Sequence, residues 1–109
     1  MTIEVVSGDD VVIAATLKKG GATFTIDPGA TVTAMLVSLN HDTAYTAEIA
    51  QSSATSGADW SNSLVVVVMG ASETAGITYQ GNAYLEVQVH DSIKETFFGA
   101  VRVTTGQIA

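Results

Sequence analysis

Asn82-Ala83-Tyr84-Leu85-Glu86-Val87-Gln88-Val89-His90 is the stretch on which the fold turns. Ala83, Leu85, Val87 and Val89 alternate with Tyr84, Glu86, Gln88 and His90. A period of two sends one set inward and the other outward, which is the pattern of a half-buried β-strand. Asp91-Ser92 then turns the chain, and Lys94 to Thr104 reads as a further strand in which Gly99 marks a bulge or a close backbone approach. Upstream, Ser63 to Met69 is a strand apolar enough to be buried. Between these two regions Ser72-Glu73-Thr74-Ala75-Gly76 suits one helical turn, with Ser72 as N-cap. No other segment has helical periodicity.

The same alternation organises the first half. Thr2 to Val6 is a short strand ending in the turn Ser7-Gly8-Asp9-Asp10. Val11, Ile13, Ala15 and Leu17 then share one face of the next strand. Lys18-Lys19-Gly20-Gly21 closes that strand as an exposed loop, since glycine accepts positive φ and lysine resists edge pairing. Thr23 to Ile26 is a candidate brief strand, and Asp27-Pro28-Gly29 is a turn. Thr31 to Leu39 carries apolar side chains on both faces, which indicates a central position or burial against a partner. Asn40-His41-Asp42 turns the chain into a returning strand, Thr43 to Ile49. Gln51 to Asp59 lacks any periodic apolar pattern and reads as a loop ending near Trp60. Seven or eight strands, spaced by roughly 8–12 residues, predict a small all-β protein, an antiparallel sandwich or barrel.

Composition sets the outer bounds. A chain of 109 residues is expected to form one domain, residues 1–109. Hydrophobic residues at 47% and charged residues at 14% exclude intrinsic disorder. With no cysteine there is no disulfide framework and no thiolate chemistry. A net charge of −7 argues against nucleic acid as a partner. The opening residues show neither a basic segment nor a long apolar run, so no signal peptide and no membrane span are expected.

Catalytic constellations are hard to find. His41 and His90 each precede an aspartate at a strand end, where neighbouring side chains point to opposite faces, so both read as turn residues. Asp9-Asp10 is the one tight carboxylate pair, and it lacks the oxygen-rich run that a calcium loop needs. The glycines of Gly20-Gly21 match no nucleotide-binding spacing. Neither a catalytic site, nor a cofactor, nor a metal is expected. Trp60 has two readings, a lid on the protein's own core or an anchor inserted into a partner. A carbohydrate-binding or adhesion module, with Trp60, Tyr79 and Tyr84 as stacking aromatics, is the alternative from another class.

Several segments, taken in order, resemble a known family. They are Ile3-Glu4-Val5-Val6-Ser7-Gly8-Asp9-Asp10, Ile26-Asp27-Pro28-Gly29-Ala30-Thr31-Val32-Thr33-Ala34 and Ala58-Asp59-Trp60-Ser61-Asn62-Ser63-Leu64-Val65-Val66-Val67. Ser72-Glu73-Thr74-Ala75, Gly81 to Val89 and Lys94-Glu95-Thr96-Phe97-Phe98 complete the series. Their succession resembles the small immunoglobulin-like β-sandwich domains of tailed-phage virion proteins, including the N-terminal domain of baseplate upper proteins. The resemblance implies an immunoglobulin-like sandwich and a non-enzymatic structural role in a virion. It implies other virion proteins as partners and assembly as a homo-oligomer. The chain has no coiled-coil or receptor-binding region after Gly106-Gln107-Ile108-Ala109, which suits a capsid decoration, neck or tail accessory protein. Trp60, Met35, Val37, Tyr84 and Phe98 are the candidate interface residues.

Overall fold

The computed structural model describes residues 3–105. It is all-β, with seven strands among those residues: β1 (Ile3–Ser7), β2 (Val11–Thr16), β3 (Thr31–Val37), β4 (Ile49–Gln51), β5 (Leu64–Met69), β6 (Gly81–His90) and β7 (Lys94–Thr105). The one α-helical turn, α1 (Ala71–Thr74), lies between β5 and β6, and a 3-10 turn spans Trp60–Asn62. Five strands form a curled sheet in the order β1-β7-β6-β3-β4, and β2 pairs with β5 in a second sheet. Thr2, where the first strand was expected to begin, and the tail from Gly106 lie outside the described residues. No helix among the described residues is long and apolar enough to cross a membrane.

The alternation in β6 is realised residue by residue. Ala83, Leu85, Val87 and Val89 are buried, while Tyr84, Glu86 and Gln88 are half-buried on the outer face and His90 is exposed. Across from them, Val101 and Val103 of β7 and Val32, Ala34 and Leu36 of β3 face the same interior. From the small sheet Val11, Ile13, Val65, Val67 and Met69 close that interior, and Trp60 and Ile77 cover its rims. Burial of such side chains stabilises by about 1.5–3 kcal/mol each, so the two inward-facing stripes hold the sheets together.

Several details depart from the sequence reading. The sheets are antiparallel except at one edge, where β1 runs parallel to β7 from Ile3 beside Val101 to Ser7 beside Thr105. Gly99 makes no bulge, because the β6–β7 register is unbroken from Gly81 beside Val103 to His90 beside Lys94. The returning strand expected over Thr43 to Ile49 is only an isolated bridge, Val37 with Ala44, followed by β4. The Thr46 hydroxyl explains the gap: it accepts the Leu36 N–H at 3.0 Å in place of a backbone carbonyl. The chain therefore bulges outward, and its register against β3 changes before pairing resumes at Ile49.

Thr23 to Ile26 is not a strand either. Its backbone is stitched to the turn at Trp60–Ser63, with the Ile26 N–H donating to the Trp60 carbonyl at 2.8 Å. The N-cap of α1 is Gly70, not Ser72. The Glu73 carboxylate folds back to accept the Gly70 N–H at 2.8 Å, and Asp10 accepts the Ala71 N–H at 2.8 Å. Thr74, fully buried, completes this corner: its hydroxyl accepts from Gly8 N–H and donates to the Asp9 carbonyl. One half of the Asp9-Asp10 pair is thus a helix cap reached from a distant turn.

Candidate protein-binding surface

The outward face of β3, β6 and β7 gathers four of the five residues that the sequence singles out. Register places Met35 opposite Glu86, Val37 opposite Tyr84, and Glu86 opposite Phe98. Phe98 stays 48% exposed, a large apolar ring left in water. Tyr84 lies beside it with ring centroids 6.0 Å apart and planes inclined at 63°, edge toward face. His41 joins them from the β3–β4 turn, parallel to Tyr84 at 5.2 Å and tilted against Phe98 at 4.2 Å. Leu39, also on that turn, is 47% exposed.

The turn that carries His41 is strongly held. His41 adopts φ 60°, a left-handed conformation uncommon for a side chain of its size. Ser38 stabilises it: its hydroxyl donates to Asp42 at 2.7 Å and accepts the N–H groups of Asp42 and Thr43. The Ser38 hydroxyl bond is the main reason that the Asp42 carboxyl titrates below its usual range. The aromatic trio therefore sits on a braced turn and two central strands, a rigid base of the kind interface anchors need. His41 was read as a plain turn residue, and its stacking partners lie too far away in sequence for spacing to reveal them.

Two of the five candidates have no free surface. Val37 faces outward by register yet is 4% exposed, lying between Tyr84 and the bridge residue Ala44. Trp60 is 6% exposed and belongs to the main core. Its turn is set by Asp59, whose carboxylate accepts from the Ser61 hydroxyl at 2.6 Å and the Asn62 amide at 2.7 Å. Those two bonds hold the Asp59 carboxyl below its usual range. The Trp60 indole N–H has no hydrogen-bond partner among the described residues. Part of the surplus apolar surface on the strands is likewise covered by the chain itself. Val66 of β5 is 5% exposed, under the loop at Gly57.

Among the described residues the two histidines lie far apart. His41 and His90 are carried at opposite ends of the β3–β6 pairing, since Tyr84 meets Val37 and His90 meets Thr31. No three His, Cys, Asp or Glu side chains among the described residues are placed to share a metal ion. A cavity of about 270 Å³ opens between β2 and the middle of β7, but apart from Lys18 its walls are apolar or small: Ile13, Leu17, Leu85, Val87 and Phe97. The chain matches no protein-family model, no curated protein and no solved structure.

Proposed function

We propose that the protein is a non-enzymatic structural subunit of a phage virion, an immunoglobulin-like sandwich that binds neighbouring virion proteins through the outward face of its large sheet. The observation that carries this reading is the His41–Tyr84–Phe98 cluster, an exposed aromatic patch on a rigid base, continued by Leu39 and the half-buried Met35. Large apolar rings are kept in water at a cost unless they serve an interface. Strand order supports the sandwich. The order β1-β7-β6-β3-β4 over β2-β5, with the first strand parallel to the last, is one that immunoglobulin-type domains use, and α1 joins β5 to β6. The titratable groups, by contrast, are scattered, and the two close hydroxyl–carboxylate contacts, Ser38 with Asp42 and Ser61 with Asp59, brace separate turns.

The adhesion reading has less support. Trp60 is buried, Tyr84 has one ring face taken by His41, and Tyr79 has one face taken by Tyr45 at 4.6 Å, so the three do not form one flat platform for a sugar. The test is particle binding by purified protein, with Phe98→Asp as the surface variant. Saturable binding that Phe98→Asp abolishes supports the structural role. Retained particle binding by Phe98→Asp, or glycan binding by the wild type, overturns it.

A further inference from the structure

The two edges of the small sheet are treated differently. β5 pairs with β2 on one side, and on the other the outward-pointing backbone groups of Leu64 and Val68 are occupied. Leu64 exchanges both bonds with Asp59, at 2.9 and 3.0 Å. Val68 is met by a side chain: the Gln51 carboxamide accepts its N–H at 2.8 Å and donates to its carbonyl at 3.3 Å. This edge is closed by an amide that imitates a neighbouring strand.

The edge of β2 is left open. The Leu17 N–H donates to the Ser63 carbonyl, so the odd-numbered residues of this strand turn their backbone groups toward β5. Val12, Ala14 and Thr16 therefore present their N–H and carbonyl groups to the other side, where no described residue pairs with them. Val12 is also 68% exposed, directly beside Val68 at 39%. Two of the devices that normally blunt such an edge are missing from the strand itself: Val11-Val12-Ile13-Ala14-Ala15-Thr16 has no charge and no proline, and the lysines lie beyond its end. The cavity between β2 and β7 leaves room along it.

We propose that this edge is where two copies of the chain pair, antiparallel about a twofold axis at Ala14. The charges that flank the strand select the occupant. Asp9-Asp10 precedes it and Lys18-Lys19 follows it, so antiparallel pairing sets the acidic end of each copy against the basic end of the other. With Ala14 opposite the partner's Ala14, Asp10 faces the partner's Lys18, while Lys19 is held by Glu95 of its own chain at 2.6 Å. The same register keeps the pleat in phase: Ile13 meets the partner's Ala15 on the inner side, and Val12 meets the partner's Thr16 on the outer side. A shift by one residue would set the inner stripe of one copy against the outer stripe of the other. Three hydrogen-bonded pairs, each exchanging two bonds, give roughly six bonds across the axis. The result is a continuous β5-β2-β2-β5 sheet. Phe98 also lines the cavity beside this edge, but the crosslinking positions lie on β2 alone, so their outcome is read apart from particle binding.

Because the chain has no cysteine, single cysteines at the exposed positions 12, 14 and 16 read the register directly. Cα atoms of a hydrogen-bonded pair lie about 5.5 Å apart, within disulfide reach. Residues four positions out of register lie about 13 Å apart, beyond it. Under mild oxidation Ala14→Cys is expected to form interchain disulfide at least about tenfold faster than Val12→Cys or Thr16→Cys alone. A mixture of Val12→Cys with Thr16→Cys should give the crosslinked heterodimer. In sedimentation at millimolar protein the wild type should approach twice its 11.2 kDa mass. Lys18→Glu should weaken that dimer about fivefold through two exposed ion pairs. A wild type that remains monomeric, or equal crosslinking at the three positions, overturns the proposal.

Discussion

Replacing Trp60 separates the roles of its ring and its indole N–H. The side chain is 6% exposed, and its own backbone carbonyl accepts from both Ile26 and Ser63, so the backbone there stays fixed when the ring is removed. Trp60→Ala then leaves a cavity that the turn cannot collapse to fill, and a cost of about 3–5 kcal/mol is expected. For a domain of this length, that lowers Tm by about 4 °C per kcal/mol, or roughly 12–20 °C. Trp60→Phe behaves differently. The buried indole N–H finds no partner among the described residues; an unpaired buried donor costs about 1–3 kcal/mol, and phenylalanine removes it while keeping most of the apolar area. The two effects oppose, and Trp60→Phe is expected within about 1 kcal/mol of wild type. Thermal melts followed by far-ultraviolet circular dichroism measure both variants. In the wild type the sole tryptophan should emit at the short wavelengths of a buried indole. If Trp60→Ala melts with the wild type, the ring is not a core element. If Trp60→Phe is as damaging as Trp60→Ala, the N–H has a partner and the reasoning fails.

Three further outcomes are expected. Thr74→Val should cost about 2 kcal/mol in denaturant titration, because it strands the Gly8 N–H and the Asp9 carbonyl, whereas Thr74→Ser should cost about half as much or less. Asp42 and Asp59 both titrate below the ordinary value of 3.8 when folded, so their contribution to stability is complete above that value and is lost as pH falls through the lower folded values. The double variant Asp42→Asn with Asp59→Asn should therefore flatten the acid side of a plot of Tm against pH, and an unchanged slope would show that the turns do not depend on these carboxylates. Gln51→Ala should unseal the β5 edge at Val68 and increase self-association in light scattering, and an unchanged scattering profile would mean that the carboxamide is not what closes that edge.

The hairpin of β6 and β7 was legible because its interior is set by strict alternation, a property of single residues. So was the inward stripe Val11, Ile13, Leu17, and so was the turn at Asp27, whose carboxylate accepts the Gly29 N–H. What escaped depends on side chains standing in for backbone. Thr46 intercepts the Leu36 N–H and breaks the strand expected over Thr43 to Ile49. Gln51 plays the opposite part, extending pairing where the backbone does not reach. Neither action leaves a periodic trace, since the partner is chosen by three-dimensional proximity. The parallel run of β1 on β7 joins the two ends of the chain, and no local pattern encodes so distant a pairing. For the candidate surface, alternation marks Tyr84 as an outward aromatic and Phe98 is a named candidate, but His41 enters through the shape of its turn. Val37, a candidate interface residue on the outer face, is covered by the chain's own bridge at Ala44, which no local pattern announces.

Binding to the particle made by the genome that encodes this chain is the most direct measurement of the central claim. Purified wild type, Phe98→Asp and a Tyr84→Ala, Phe98→Ala double variant would be titrated onto particles lacking the protein, at low and at physiological salt, after melts show that all three are folded. The structural reading expects saturable binding by the wild type, unchanged or modestly stronger as salt rises. Loss of at least about thirtyfold in affinity is expected for both variants, the effect of removing an interface anchor worth about 2 kcal/mol or more. Absence of wild-type binding, or variants that bind as the wild type does, would contradict the assignment of the His41–Tyr84–Phe98 face to a virion neighbour.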